Sequence, residues 1–294
     1  MRALLAIGLL TASAYGASTK VPEGVKVVRD LEYAQVKGVR DLEYAQVKGV
    51  SLKLDLYRPS AMPSAPMPLV IWVHGGGWRN GSKTNCPAAW LATKGYAVAS
   101  LDFRLLPEHP WPAQIEDPIA ALRWLRQESG KYGYDASRSA AMGGSSGGHV
   151  VALWGTLPLP AEDKVKAVVD LYGPTDLLTM PPNVLSEKRT RAELAKANGA
   201  LLLGGIVMDQ PEKAKAVSAL HQVTKDDVPF LIIHGMDDPG VPVDQSERLH
   251  AALKAAGVES TLKLLPGAGH GGKEFDSAES RTLILAFLDK HLRR

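Results

Sequence analysis

A motif of glycines and serines in the middle of the chain carries the clearest chemical signal. Residues 143–149 read GGSSGGH, after a short apolar run and before a stretch with helical spacing. A serine on a sharp strand-to-helix turn requires very small residues two positions before and after it, because the strained backbone brings those positions together. Ser145 and Ser146 both meet this requirement, although a helix that starts directly after the turn slightly favours Ser145. The motif predicts a nucleophilic serine in one of two registers.

An imidazole and a carboxylate that could activate this serine follow two later strands. A serine hydroxyl is a weak nucleophile until an imidazole accepts its proton, and that imidazole needs a carboxylate to hold its tautomer. After the apolar run PFLII the chain reads HGMDDP, in which Asp237 and Asp238 are candidate acids. After residues 259–265 it reads GAGHGG around His270. Serine, acid and histidine therefore come in the chain order of a doubly wound hydrolase sheet.

The other histidines have simpler interpretations. Of eight histidines, His270 is the only one that lies on a late, glycine-flanked loop directly after a predicted strand. His74 and His149 lie inside glycine motifs, where we expect them to hold loops by hydrogen bonds. His234 ends a predicted buried strand, so we expect a satisfied core residue. The remaining histidines have no motif around them, namely His109, His221, His250 and His291. His270 is therefore the predicted base.

A glycine run follows the apolar segment PLVIWV, where residues 74–78 read HGGGW. Consecutive glycines allow the backbone to pass close to a substrate, so that their N–H groups converge on one point. Such a point suits an oxyanion, whereas the simpler alternative is an ordinary glycine turn. Trp78, beside this run, either lines an acyl pocket or belongs to the core.

The elements that position these motifs can be predicted from hydrophobic patterning. Leu52, Leu54 and Leu56 alternate with polar residues, which indicates a half-buried antiparallel strand. Four later apolar runs are short enough and sufficiently β-branched to be parallel strands buried on both faces. They cover residues 68–73, 96–101, 165–171 and 229–233.

Helical spacing between these runs completes the fold prediction. Apolar residues recur at helical intervals between Ile115 and Leu125, around Leu249 and Leu253, and over residues 282–292. Strands that alternate with helices predict an α/β fold, in which helices cover both faces of one mostly parallel, doubly wound sheet. Ligands bind beyond the carboxyl ends of the strands in such sheets, and the three chemical motifs all follow predicted strands.

The composition excludes several classes of protein. With 294 residues, 45% hydrophobic and 22% charged, the chain can bury a core and is neither disordered, collagen-like nor a coiled coil. The formal charge of +3 shows no long basic run, so nucleic acid is not an expected partner. Cys86, the single cysteine, excludes an intramolecular disulfide and is expected to be a small buried side chain. We expect no metal and no cofactor.

The N-terminus has the pattern of a secretory signal peptide. Arg2 supplies a positive charge, residues 3–10 are apolar, and residues 12–14 offer a small-residue cleavage site. A membrane span requires about 20 apolar residues, and no run in this chain reaches that length. We therefore expect residues 1–16 to be removed from a secreted or periplasmic protein.

An exact repeat follows the signal-like segment. Residues 29–39 and 40–50 both read RDLEYAQVKGV. Two copies are too few for a solenoid, so we interpret them as a duplicated edge strand. One copy would pair with the sheet, and the other would loop out or extend the edge. The predicted organisation is a signal peptide, an N-terminal segment at 17–50 and one hydrolase domain at 51–294.

Six ordered stretches from about Ser51 to the C-terminus resemble a known family. They are PLVIWVHGGGWRNGS, RLLPEHPWPAQIEDPIAALRWLR, MGGSSGGHVVALWGT, VVDLYGPTDLL, PFLIIHGMDDPGVPVDQSERL and GAGHGG. The chain resembles the α/β-hydrolase esterases of the bifunctional feruloyl and acetylxylan esterase group. It is also similar, more distantly, to hormone-sensitive-lipase-like carboxylesterases. The resemblance implies the α/β-hydrolase fold.

The resemblance also implies a role for individual residues. The family's nucleophile falls on Ser145, its acid on Asp238 and its base on His270, with Asp237 as the second choice of acid. Ser146 stands where many relatives carry alanine. The implied oxyanion hole consists of three backbone N–H groups, those of Gly76, Gly77 and Ser146.

The expected reaction is hydrolysis of a carboxylic ester through an acyl-enzyme. Acetyl or feruloyl esters of plant cell-wall polysaccharide are the substrates that the resemblance favours, and short-chain or aromatic esters in general are the alternative. A serine peptidase and a non-catalytic binding protein are the remaining alternatives. The segment between Leu177 and Gly204 either shapes the mouth of the pocket or forms a solvated loop and helix.

Overall fold

The computed structural model describes residues 21–36, 50–61, 63–187 and 189–293. The predicted signal peptide lies outside these residues and stays a prediction. The first copy of the repeat enters an edge strand as far as Val36, as we predicted for one copy. The second copy lies outside the described residues except for Val50.

Eight strands of the described residues form one mixed sheet. They are β1 (Val25–Val36), β2 (Val50–Pro59), β3 (Met67–Val73), β4 (Ala97–Leu101), β5 (Tyr134–Gly144), β6 (Ala167–Leu171), β7 (Phe230–Gly235) and β8 (Ser260–Leu265). Their order in the sheet is β1-β2-β4-β3-β5-β6-β7-β8. β1 and β2 pair antiparallel, β2 pairs antiparallel with β4, and all other neighbours are parallel. The predicted parallel runs all form strands of this sheet.

Eight α-helices lie among the described residues, and the longer ones match the predicted helical spacing. They are α1 (Ala113–Gln127), α2 (Ser129–Tyr132), α3 (Ser146–Thr156), α4 (Arg191–Leu194), α5 (Asn198–Leu203), α6 (Pro211–Ala216), α7 (Asp244–Ala255) and α8 (Ala278–Leu292). Short 3₁₀ helices cover Pro87–Lys94, Ala161–Asp163, Pro181–Asn183, Val207–Asp209, Ala219–His221 and Lys273–Asp276.

Each face of the sheet has its own hydrophobic core. Along β3, Leu69 and Ile71 belong to a core with buried residues of α1, α3 and α7, whereas Val70 and Trp72 belong to a second core with α8. The period of two follows from the alternation of side chains along a strand. Because helices cover both faces, every residue of β3 is buried. This is the α/β-hydrolase fold that the sequence predicted.

The strand β2 is more fully buried than its sequence pattern predicted. Its alternate leucines are buried as expected, but Asp55 and Tyr57 on the opposite face are buried too. Lys83 forms an ion pair with Asp55 at 3.2 Å, and the helix Pro87–Lys94 shares the core of Tyr57. The half-buried pattern therefore holds only for the first part of the strand.

Two further predictions concern the body of the protein. Cys86 is buried, and its burial raises the pKa of the thiol to about 12, so it behaves as a small apolar side chain. Among the described residues, no helix combines the length and the apolar character that crossing a membrane requires.

Candidate active site

The serine motif forms a strained turn between β5 and α3. Ser145 has φ 55° and ψ −123°, a backbone conformation that residues other than glycine rarely adopt. A Cβ on Gly143 would lie 2.5 Å from the carbonyl oxygen of Gly147, and a Cβ on Gly147 would lie 2.1 Å from that of Val73. The N–H of Ser145 donates to the Leu171 carbonyl oxygen at 2.9 Å. Only glycines fit this turn, and they hold the serine at the carboxyl edge of the sheet.

The three side chains predicted to act together lie within hydrogen-bonding distance. Ser145 Oγ is 2.8 Å from Nε2 of His270, and Nδ1 of His270 is 2.7 Å from Oδ2 of Asp238. With a neutral ring, Nδ1–H donates to the carboxylate and Nε2 accepts from the hydroxyl. Ser146 Oγ is buried and has no hydrogen-bond partner within the described chain, and Asp237 is exposed. Of the two candidate serines and the two candidate acids, the structure therefore brings Ser145 and Asp238 into hydrogen-bonding distance of His270.

The carboxylate of Asp238 is held by its own loop as well as by the histidine. Oδ1 accepts the N–H groups of Gly240 at 2.7 Å and Val241 at 2.9 Å. Burial alone would raise the pKa of Asp238, but hydrogen bonds from His234, His270 and Val241 outweigh it and keep this pKa well below its usual range. The group is therefore ionised at neutral pH and can stabilise a positive imidazole.

The loop that carries His270 packs closely onto the end of β7. A Cβ on Gly235 would lie 2.4 Å from the carbonyl oxygens of Ala268 and Gly269, so this position must be glycine. The ring of Tyr172 meets the His270 ring edge-on with centroids 4.9 Å apart. Tyr172 has φ 45° directly after β6. Tyr172 was not among the predicted site residues; its place after a buried strand that ends at the same side of the sheet was the available signal.

The glycine run after β3 lies against the serine turn. A Cβ on Gly75 would be 2.8 Å from the carbonyl oxygen of Gly144. Gly76 and Gly77 have φ of 115° and 63°, which favour glycine. Within the described ranges, the N–H groups of Gly76, Gly77 and Ser146 donate to no other protein group. These are the three donors that the resemblance implied for an oxyanion hole.

Trp78 and two histidines fix this glycine loop. Trp78 Nε1–H donates to Nδ1 of His149 at 3.3 Å, and Nε2–H of His149 donates to the Val217 carbonyl oxygen at 2.7 Å. Burial lowers the pKa of His149 to about 4, so its ring is neutral at neutral pH. His74 Nδ1 lies 2.7 Å from the carbonyl oxygen of Gly75. Both histidines hold loops, as predicted.

A cavity of about 200 Å³ opens beside Ser145 and His270. Trp78 lines this cavity and also belongs to the first hydrophobic core. Both interpretations of this side chain therefore hold. The predicted mouth segment supplies the cavity residues Leu177, Met180, Pro182, Asn183, Asn198 and Gly199. The first interpretation of that segment is therefore confirmed. No sequence pattern had indicated the two asparagines as cavity residues.

This arrangement suits nucleophilic acyl transfer. A hydroxyl, an imidazole and a carboxylate form one chain of hydrogen bonds. Gly77 and Ser146, two of the three residues with N–H groups that lack a partner within the described ranges, line the same cavity as this hydroxyl. In the described part of the chain, no group of three or more His, Cys, Asp or Glu side chains could hold a metal ion.

Comparison with known proteins gives concordant matches. The BD-FAE family model matches residues 54–253. Esterase LipC from Mycobacterium tuberculosis is 34% identical over 77% of this chain, and the chain spans 58% of the length of that relative. Among solved structures, a truncated form of a carbohydrate esterase from gut microbiota is 28% identical with a TM-score of 0.74, and 92% of this chain and 97% of that chain are covered. Esterase B from Lactobacillus rhamnosis is 26% identical with a TM-score of 0.72, covering 92% and 86%.

Proposed function

The chain belongs to the BD-FAE family, and from this membership we propose that it is a serine carboxylic ester hydrolase. The observation that carries the proposal is the continuous hydrogen-bonded chain from Ser145 through His270 to Asp238. The fit of this geometry to acyl transfer, and the names of the similar proteins, support the same reaction.

The first half of the reaction acylates the serine. Ser145 Oγ attacks the ester carbonyl carbon while Nε2 of His270 accepts the hydroxyl proton. Asp238 stabilises the imidazolium that results. The carbonyl oxygen becomes an oxyanion, which accepts hydrogen bonds from the backbone N–H groups of the glycine run and of Ser146. His270 then gives its proton to the departing alkoxide, so the alcohol leaves and an acyl-serine remains.

The second half returns the free serine. Water replaces the alcohol, and Nε2 of His270 removes its proton as it attacks the acyl carbon. The same N–H groups donate hydrogen bonds to the second oxyanion, and His270 protonates Ser145 Oγ as the carboxylic acid departs. Atoms balance, since one ester and one water give one alcohol and one acid.

The substrate that we propose is an acetyl or feruloyl ester on plant cell-wall carbohydrate. A structural relative named as a carbohydrate esterase supports this substrate class. The apolar walls of the cavity suit an acyl group, and the amides of Asn183 and Asn198 offer polar contacts beside it. The same apolar lining favours short acyl esters of simple alcohols as the second candidate substrate.

Two experiments test this proposal in order. A fluorophosphonate probe should label the wild type on Ser145 at neutral pH and leave Ser145→Ala unlabelled. A substrate panel should then include acetylated xylan, methyl ferulate, nitrophenyl acetate and a peptide anilide. Turnover of the anilide alone would indicate a peptidase, and absence of both labelling and turnover would indicate a binding protein. Equal activity on simple and carbohydrate acetates would leave the ester hydrolase but remove the carbohydrate preference.

A further inference from the structure

A second histidine contacts the loop that carries the proposed acid. His234 ends β7 and is fully buried. Its Nε2 lies 2.9 Å from the Val241 carbonyl oxygen and 3.4 Å from Oδ2 of Asp238. Its Nδ1 lies 2.6 Å from Oγ of Ser246. Both ring nitrogens of His234 are therefore engaged, which confirms the prediction of a satisfied core residue.

The partners of His234 define its hydrogen positions. Nε2 faces two acceptors, a carbonyl oxygen and a carboxylate oxygen, so it must carry a hydrogen. In the neutral ring, Nδ1 then accepts from the hydroxyl of Ser246, which is fully buried on α7. The ring is thus anchored from α7 and directs its N–H toward the acid loop.

The peptide groups of Val241 link this ring to the carboxylate. The carbonyl of Val241 accepts from His234, and the N–H of Val241 donates to Oδ1 of Asp238 at 2.9 Å. Oδ1 is therefore occupied by the loop, whereas Oδ2 faces Nδ1 of His270 at 2.7 Å and Nε2 of His234 at 3.4 Å. A shift of Val241 would rotate the carboxylate and with it the imidazole.

We propose that His234 is a positioning residue, which holds Val241 and the Asp238 carboxylate in the orientation that His270 requires. This inference rests on the proposed ester hydrolysis. The carboxyl groups that face His234 are those of Asp238 on its own loop and Asp170 on the neighbouring β6, and the uncharged Ser246 faces it from α7.

The test compares two substitutions at position 234. His234→Leu removes the donor, whereas His234→Gln keeps an N–H at nearly the place of Nε2. A displacement of about 1 Å in a catalytic group can lower turnover by about 10²-fold. With nitrophenyl acetate we expect His234→Leu to lower kcat by about 10- to 100-fold, to leave KM within about twofold, and His234→Gln to regain most of the loss.

A spectroscopic signature separates positioning from a purely structural role. The proton shared by His270 Nδ1 and Asp238 should give a low-field proton NMR signal in the wild type. We expect that signal to move or broaden in His234→Leu and to return in His234→Gln. Ser246→Ala, which removes only the Nδ1 partner, should give a smaller change in the same direction and serves if His234→Leu does not fold.

The matched control removes a similar histidine–serine hydrogen bond, which joins α7 to β8. His250 Nδ1 lies 2.9 Å from Ser260 Oγ, and neither residue lines the cavity. His250→Leu should lower stability without changing kcat per labelled site. An unchanged kcat and NMR signal in His234→Leu would overturn the positioning role, as would equal losses in His234→Leu and His234→Gln. A wild type that neither binds the fluorophosphonate nor hydrolyses esters would instead overturn the proposed function.

Discussion

At the residue scale, the adjacent serines have opposite surroundings. Ser145 Oγ faces His270 at 2.8 Å, whereas Ser146 Oγ is buried without a partner in the described chain. Ser146 is expected to act through its backbone N–H, which a side-chain substitution leaves in place. We therefore expect the two hydroxyls to differ in function despite their identical type and neighbouring glycines.

The first prediction follows from this difference. Ser145→Ala should lower kcat by at least about 10⁴-fold, because the nucleophile is lost and only the surrounding groups remain. Ser146→Ala should keep kcat within about tenfold, since a backbone donor is unaffected and a lost donor would cost about 10² to 10³. Turnover of nitrophenyl acetate and the mass of the phosphonylated peptide measure both. Full activity of Ser145→Ala, with loss in Ser146→Ala, would reverse the register.

The second prediction concerns a buried carboxyl group below the site. Asp170 is fully buried on β6, where Oδ1 accepts the N–H of Gly173 at 3.0 Å and Oδ2 has no partner in the described chain. Burial raises the pKa of Asp170 to about 6, against about 3.9 when unfolded. The native state thus binds more protons between these values. Its free energy of unfolding therefore falls as pH rises from about 4 to 6.

Asp170→Asn removes this charge while keeping the shape of the side chain. At pH 8 the free energy of unfolding should rise by up to about 3 kcal/mol, because about two pKa units correspond to that energy. At pH 4 the variant and the wild type should be nearly equal. Urea unfolding at both pH values measures the difference. A difference that does not depend on pH would show that the carboxyl of Asp170 does not titrate in this range.

At the element scale, strands and glycine turns were predictable from local patterning, but the cavity wall was not. The apolar run that became β3 and the GGSSGGH turn each depend on residues close in sequence. The wall residues between positions 177 and 183 and at 198 and 199 belong to short helices and turns without helical periodicity, and their position depends on contacts with distant residues. Asn198 illustrates this, because its Nδ2 lies 2.4 Å from the place of a Cβ on Gly77, a residue 121 positions earlier in the chain.

The third prediction uses this wall to change acyl-chain preference. Met180 lines the cavity and is almost fully buried, so Met180→Ala should enlarge the space beside Ser145. A few methylene groups in an apolar pocket change selectivity by about tenfold or more. We expect the ratio of kcat/KM for nitrophenyl butyrate over acetate to rise about tenfold.

A neighbouring apolar residue provides the control for Met180. Leu185 belongs to the same segment but is 44% exposed and does not line the cavity. Leu185→Ala should leave the butyrate-to-acetate ratio unchanged. The same change in both variants would indicate a general loosening of the segment, and no change in Met180→Ala would place the acyl group elsewhere.

At the scale of the whole molecule, one edge of the sheet assembles the site. The glycine run follows β3, the serine follows β5, the acid follows β7 and the base follows β8. Parallel pairing brings the carboxyl ends of these strands to the same side. The chain order of the motifs therefore predicted which loops meet at this side of the sheet, whereas the choice between the two serines and between the two aspartates came from the family resemblance. The contact of His234 with Val241 and the contact of the Tyr172 ring with His270 could not be predicted, because both depend on three-dimensional packing.

The last prediction concerns β1, which is the outermost strand of the sheet and contributes no residue to the cavity. β1 pairs only with β2, and β2 contributes no residue to the cavity. A chain that starts at Val50 should retain kcat/KM within about twofold, because the matched region of the family begins later, at residue 54.

The truncated chain should lose about 2 to 4 kcal/mol of unfolding free energy, since Val25 and Val27 pack on the second core. Exposure of the β2 edge should also promote self-association, visible by light scattering. A folded but inactive truncated chain would show that the N-terminal segment, contrary to our predicted organisation, contributes to the site.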